Sequence, residues 1–319
     1  MKVLIVKKKD SCFPFVEEQV NALHLLGVDS GSHLISGSGI WSYIRDVPRL
    51  WRDIMRIQPD IIHAHYGMSG FYVCLMTKLM KSYIHRPIVV TYHGSDINKP
   101  SVRKLSQCAI RMADYNIFVS PKLMEQVQCN EKCQVIPCGI NWYDWKFVTK
   151  RDAREQMGLD QNKKIVLFSS DFHTPIKNAA LAIEAVKNVR NSMGMDVQLI
   201  ELVGYTRYQV NLLMHAADVC LMTSFTEGSP QFIKEAMACG CPIVTTRVGD
   251  AEFVIGNTKG CYFTDYSIDD CVTQITNALQ FAKQHNRTDG EQRILQLGYS
   301  NDVVAEKINN IYVSLTQKQ

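Results

Sequence analysis

Short apolar runs alternate along the chain with longer stretches whose apolar positions recur at helical spacing. In the first half KVLIV, IIHAH, IVVTYH, NIFVS and CQVIP read as strands, and FVEEQVNALHLLG and YIRDVPRLWRDIMRI as amphipathic helices. In the second half KIVLFSS, VQLIELVG, VCLMTS, PIVTT and GCYFT read as strands, with helices NAALAIEAVKNVRNS, RYQVNLLMHAA and DDCVTQITNALQFAKQ between them. Strands alternating with helices predict parallel α/β architecture, here two doubly wound Rossmann-like domains facing a central cleft. The polar stretch NWYDWKFVTKRDAREQMGLDQNKK separates the halves, which places the domains at 1–155 and 156–319. The closing segment SNDVVAEKINNIYVSL begins with a helix cap and is amphipathic, so a last helix at about 300–319 is free to pack on the N-terminal domain.

Ligands of doubly wound sheets bind outside the carboxyl ends of the strands, so the turns that follow strands are the ones to search. The richest is SFTEGSPQFIKEAMACG, Ser224 to Gly240. Glu227 falls in a Gly-Ser-Pro turn and Glu235 on the helix after it, with Ser229 as expected N-cap and Pro230 as first helical residue. A helix N-terminus at a strand's carboxyl end suits phosphate. Carboxylates there suit hydroxyl groups attached to one, which points to a ligand carrying both phosphates and sugar rings. In SSDFHTPIKN, Lys177 opens a helix, where the dipole disfavours a cation unless an anion offsets it; that marks it as a phosphate-binding candidate, the bland reading being a solvated lysine. In TYHGSD, His93 is either a loop histidine beside a capping aspartate or a group pointing into the cleft. In HAHYG, alternation puts His63 and His65 on one face, and a structural and a ligand role fit equally.

Composition narrows the class. A chain of 319 residues suits two domains, and 46% hydrophobic with 21% charged residues suits a soluble globular protein. No apolar stretch reaches the length of a membrane span, and MKVLIVKKKD does not have the form of a secretory signal. The 11 cysteines are therefore expected to be reduced, in the cytoplasm. Cys129, Cys133 and Cys138 lack a CxxC pair and a fitting histidine, so zinc is not expected. Residues 1–150 carry 19 lysines and arginines against 12 acidic residues, an excess that residues 151–319 do not share. The basic residues lie in RLWRDIMRIQ, KLMKSYIHR and VRKLSQCAIRM. These are either solvated helix faces or a peripheral contact with anionic lipid at the inner face of a membrane, whereas no nucleic-acid motif occurs.

These residues, taken together, resemble retaining glycosyltransferases of family 4, with their GT-B fold, and particularly bacterial enzymes of surface-polysaccharide synthesis. The resemblance rests on IIHAHYG, VVTYHGSD, IFVS, VIPCGIN, KNAALAIEA, AADVCLMTSFTEGSPQFIKEAMACGCPIV and VGDAEFVIG, in that order. It implies a nucleotide-sugar donor, UDP- or GDP-linked, held mainly by the second domain. Glu235 would hold the ribose hydroxyls and Glu227 would sit by the transferred sugar. The backbone of Gly228, Ser229, Pro230 and Gln231 would meet sugar hydroxyls and phosphates, Lys177 the diphosphate, and His93 the donor sugar. No metal or other cofactor is expected, since no Asp-x-Asp occurs. The acceptor would be a glycan or a lipid-linked oligosaccharide. The family pattern is broken twice: SSDFHTPIK lacks the arginine that usually accompanies the diphosphate lysine, and KKKDSCFPF lacks the usual glycines. The second domain is also short between ELVGYTRYQV and AADVC. A nucleotide-sugar epimerase of the same fold and a binding scaffold without turnover are the competing readings.

Overall fold

A computed structural model describes residues 1–9, 14–37, 39–80, 85–129, 131–141 and 147–317. Asp10–Phe13 of the glycine-free turn, part of KLMKSYIHR and Trp142–Lys146 of the polar stretch lie outside them. The chain forms two units, Met1–Gly139 with Asn301–Gln319, and Ile140–Ser300.

Unit 1 runs β1 (Lys2–Lys8), α1 (Pro14–Leu25), β2 (Asp29–Ile35), α2 (Gly39–Ile57), β3 (Ile61–His65), α3 (Gly67–Leu79), β4 (Ile88–Tyr92), α4 (Ser95–Asn98), α5 (Pro100–Met112), β5 (Tyr115–Phe118), α6 (Pro121–Gln126) and β6 (Cys133–Val135). Its parallel sheet has the order β2-β1-β3-β4-β5-β6. β3 and β4 are buried along their whole length, as expected of central parallel strands covered on both faces. Leu4, Val6, Ile62 and Val90 pack toward Tyr43, Leu50, Tyr72 and Val73 on one face. Val3, Ile5, Ile61 and Val89 pack toward Val16 and Leu23 on the other.

Unit 2 runs α7 (Lys150–Gln156), β7 (Lys164–Phe168), α8 (Ala179–Met193), β8 (Val197–Glu201), α9 (Arg207–Ala216), β9 (Val219–Met222), α10 (Gln231–Ala238), β10 (Ile243–Thr245), α11 (Ala251–Ile255), β11 (Cys261–Phe263), α12 (Ile268–His285) and α13 (Gly290–Gln296). Its five parallel strands lie in the order β11-β10-β9-β7-β8. α14 (Asn301–Thr316) then completes unit 1, where Val304, Ala305, Ile308, Ile311 and Tyr312 join the α1 side of the core.

Two expectations differ from this. β2 was not anticipated, because Asp29-Ser30-Gly31-Ser32 is polar and the strand lies at the edge of the sheet beside β1. The units divide at Gly139–Ile140 and not at 155–156, because α7 belongs to unit 2. There Ala153 packs on Leu212 and Ala216 of α9, and the buried Arg154 donates to the Ala216 carbonyl at 3.0 Å and to Asp218 at 2.8 Å. The last helix, expected at about 300–319 and free to pack on the N-terminal domain, is α14, and it belongs to unit 1. Among the described residues no helix is long and apolar enough to cross a membrane.

Candidate functional site

In unit 2 the strand order reverses at β7, with β8 on one side and β9 on the other, so the loops after β7 and β9 border the crevice where such sheets bind ligands. These loops are tied together. Thr223 Oγ1 donates to the carbonyls of Lys177 (3.0 Å) and Asn178 (2.9 Å), and Phe225 N–H to the Ile176 carbonyl (2.9 Å). Asp171 accepts from His173 N–H and the Thr174 hydroxyl, holding the first part of the β7 loop. These hydrogen bonds through the loop hold its carboxyl below the usual carboxylate range. The stitching brings Lys177 Nζ to 2.6 Å from Glu227 Oε1, with 24% and 17% of the two side chains exposed. Lys177 ends a 3₁₀ turn (Pro175–Lys177), and Asn178, in a left-handed conformation, separates it from α8, so it stands just before that helix and not in its first turn.

Glu235, on α10, has a side chain only 4% exposed and pairs with Arg207 at 2.6 Å. α10 starts at Gln231, one residue later than expected. Pro230 occupies the N-cap position, and Ser229 makes no cap. Its hydroxyl is drawn instead to the buried carboxylate of Asp250, at 2.7 Å; burial raises that carboxyl above the usual range. Gly249, at φ 58°, packs so closely that an added Cβ would fall 2.8 Å from the Gly228 carbonyl oxygen. The Gly-Ser-Pro turn is therefore held by the β10–α11 turn. Of its four expected ligand residues, Pro230 has no N–H to offer.

In unit 1, His93 follows β4. Asp96 fixes this turn by accepting the N–H groups of His93, Gly94 and Gly67. Burial raises its carboxyl, and those bonds oppose the shift. His93 Nε2 lies 3.0 Å from His65 Nδ1, and its Nδ1 faces Cys138 Sγ at 3.8 Å. Tyr66, at φ 71° in the β3–α3 turn, lays its ring 4.5 Å from that of His93. His63 and His65 do share a face, their rings 4.6 Å apart. His63 bonds the Tyr312 hydroxyl at 2.5 Å and the Thr91 hydroxyl at 2.7 Å. Burial lowers His63 to about 3 and His65 well below the usual histidine value, so both rings are neutral at physiological pH. That gives His63 a structural part.

The sequence reading missed Arg207 and Asp250. The signal for Arg207 was present, since it opens α9 as a cation at a helix N-terminus, the criterion that found Lys177. Among the described residues no group of three or more His, Cys, Asp or Glu is placed to hold a metal.

Residues 14–142 match the family model Glycosyltransferase Family 4, and residues 163–280 match Glycosyl transferases group 1. The chain belongs to glycosyltransferase family 4. TuaC of Bacillus subtilis, assigned as a teichuronic acid biosynthesis glycosyltransferase, is 26% identical over 222 residues; the match covers 63% of this chain and 56% of TuaC. Among solved structures, sucrose-phosphate synthase from Thermosynechococcus elongatus superposes with a TM-score of 0.80 at 16% identity, covering both chains fully. Anabaena HepE in complex with UDP gives 0.77 at 16% identity, covering 99% of this chain and 100% of HepE. These likenesses give the family 4 chain its GT-B fold of two parallel-sheet, Rossmann-like α/β units.

Proposed function

We propose that this family 4 member is a retaining, metal-independent hexosyltransferase. It moves a sugar from a UDP- or GDP-sugar to a glycan or lipid-linked acceptor in cell-surface polysaccharide synthesis. The reading is carried by the Lys177–Glu227 pair, which joins the loops after β7 and β9 at the sheet's reversal of strand order, with Glu235 on the helix that follows. HepE with UDP and TuaC in teichuronic acid biosynthesis support the donor and pathway classes.

In this reading the donor diphosphate takes Lys177 from Glu227, and the released carboxylate receives sugar hydroxyls. The bond from the anomeric carbon to the phosphate oxygen breaks, and charge growing on the diphosphate is met by Lys177 and the N–H groups that open α10. The acceptor hydroxyl attacks the anomeric carbon from the face the phosphate leaves, and its proton passes to the departing phosphate oxygen. Glu235 holds the ribose. His93, in unit 1, keeps the donor-sugar role that the family resemblance gives it.

Incubation with a panel of UDP- and GDP-sugars and glycan or lipid-linked acceptors tests this. An elongated acceptor with retained anomeric configuration, formed equally in EDTA, is expected. Free sugar alone would point to an epimerase, binding without turnover to a scaffold, and EDTA inhibition reversed by magnesium would overturn the metal-free mechanism.

The proposed location is the inner face of a membrane. α2 exposes Ile40, Trp41 (69%), Ile44 and Met55 together with Arg45, Arg49, Arg52 and Arg56, the mixture of apolar and basic groups that an interfacial helix carries. Co-sedimentation with acidic liposomes at low salt, reduced at high salt and in Trp41→Ser, is expected. If the protein stays in the supernatant at low salt, the helix face is merely solvated.

A further inference from the structure

Unit 1 holds a cavity that no role given above uses. It lies between α2, α3 and α5 and has a volume of about 280 Å³. Ile40, Ile44 and Val47 of α2 form one wall, Met68 and Leu75 of α3 another, and Leu105 of α5 closes a side. The rings of Tyr43 and Tyr72, 5.4 Å apart, complete the lining. Their hydroxyls bond Ser69 and Asp46, so among the described residues the lining is apolar throughout. Packed interiors keep few voids larger than a water, and an apolar hollow of this size stays dry and forgoes contacts that an apolar guest would make. α2 and α3 begin just after β2 and β3, and Ile40 and Met68 stand in their first turns. The cavity therefore reaches the carboxyl edge of the sheet, where doubly wound sheets take their ligands.

Charge decides what enters. Trp41, Arg45, Arg49, Arg52 and Arg56, all exposed, recur at helical spacing on α2, in a stripe beside the one formed by Ile40, Ile44 and Val47. Arg49 and Arg56 reach Asp46 and Asp53 of the same helix, at 3.7 and 3.1 Å. Lys8, the last residue of β1 and so at the same sheet edge, holds its Nζ 5.3 Å from the centre of the Tyr43 ring. An apolar space with cations beside it is the complement of a hydrocarbon chain that ends in an anion. A second copy of the chain is a poor occupant, because the arginine stripe would face itself across a two-fold contact. A partner helix with its side chains is about 10–12 Å across, too wide to enter this volume. We propose that the cavity binds the single hydrocarbon chain of a lipid phosphate, with Lys8 meeting the phosphate and Ile40 and Ile44, 60% and 56% exposed, forming the mouth. This deepens the lipid-linked acceptor of the proposed reaction, rests on that reading for its substrate, and anchors the acceptor at the sheet edge. It differs from adsorption of α2 to a membrane surface, which needs no cavity.

Calorimetric titration of the full chain with decyl phosphate, below its micelle concentration, tests this. One saturable site is expected, with decanol bound about tenfold more weakly, since a charge-assisted bond to phosphate sets the difference, and inorganic phosphate weaker still. Leu75→Trp, which fills the cavity, and Ile44→Asp, which puts a carboxylate at its mouth, should each weaken decyl phosphate by about tenfold or more. Lys8→Gln should bring decyl phosphate down to the level of decanol and leave decanol unchanged. Ile44→Asp alters an exposed position, so it still decides should Leu75→Trp fail to fold. Binding that does not saturate, or that Ile44→Asp leaves unchanged, is surface adsorption and overturns the proposal. Decanol bound as tightly as decyl phosphate takes Lys8 out of the site and overturns it too. Dihexanoyl phosphatidylglycerol bound as tightly as decyl phosphate would give the cavity to bulk membrane lipid. A dimer that Ile44→Asp dissolves, seen by sedimentation velocity, would give it to a second copy. Either result rejects the single-chain acceptor. Failure of the underlying reading looks different: decyl phosphate then binds as expected, while the panel of donors and acceptors yields no elongated product.

Discussion

Lys177→Ala is expected to lower transfer turnover by about 10²- to 10³-fold, the usual cost of removing one preorganised group that meets developing charge. Stability should change little, because the pair with Glu227 is partly exposed and such pairs contribute about 0–1 kcal/mol. Nucleoside diphosphate should inhibit the variant more weakly than wild type. Glu227→Gln separates the two partners, since it should keep most nucleotide affinity and lose much of the turnover. Initial rates at saturating donor, with product inhibition by UDP or GDP, measure both. Normal turnover and normal inhibition in Lys177→Ala would remove it from the mechanism, and parallel loss of nucleotide binding and turnover in Glu227→Gln would mean that the two glutamates have been given each other's roles.

Arg154→Met is expected to destabilise unit 2 by about 3–5 kcal/mol, because it leaves a buried carboxylate short of a partner. Arg154 donates to the carbonyls of Ala216, Asp160, Gln161 and Lys163 and to Asp218. Asp218 also takes Lys150 at 3.0 Å and the Ile165 N–H at 2.8 Å. Burial by itself would raise Asp218, but Lys150, that N–H and Arg154 outweigh it and hold the carboxyl below its usual range. A depressed carboxylate contributes its stability above its unfolded pKa, about 3.9, and loses it as the pH falls through the lower folded value. Calorimetric melting of the full chain at pH 7 is the measurement. The transition of unit 2 should move down by several degrees, and Arg154→Met with Asp218→Asn should recover part of the loss. A shift within about 2 °C would show that the network is not holding α7 and β7.

Much of the site could be read in the chain because its signals are local. The turn with Glu227, the helix with Glu235 and the strands before and after them lie within one continuous stretch, and strand alternation put His63 and His65 on one face. What could not be read depends on partners distant in sequence. Ser229 has the composition of a cap, but a carboxylate brought in by the β10–α11 turn takes its hydroxyl. Lys177 and Glu227 were assigned to different parts of a ligand, and the ion pair between them follows from Thr223 and Phe225 bonding across two loops. β2 is polar because it is an edge, and edge strands do not show the apolar run of central ones. The boundary was placed in the polar stretch, whereas α7 within that stretch is anchored by Arg154, whose partners extend to Asp218.

Unit 1 is written on both sides of unit 2, and this sets an order of events during synthesis. A growing chain reaches Gly139 with every strand of the first sheet made and α14 still untranslated. The sheet face that Val304, Ile308 and Tyr312 will cover then stays exposed to water, and His63 waits for the Tyr312 hydroxyl, while residues 140–300 emerge. Unit 2 is contiguous and closes its own ends, with Ile140 N–H bonded to the Tyr299 carbonyl. The segment made second therefore has its whole sheet and all its helices once residue 300 has emerged, whereas the first-made segment lacks α14 until translation passes Thr316.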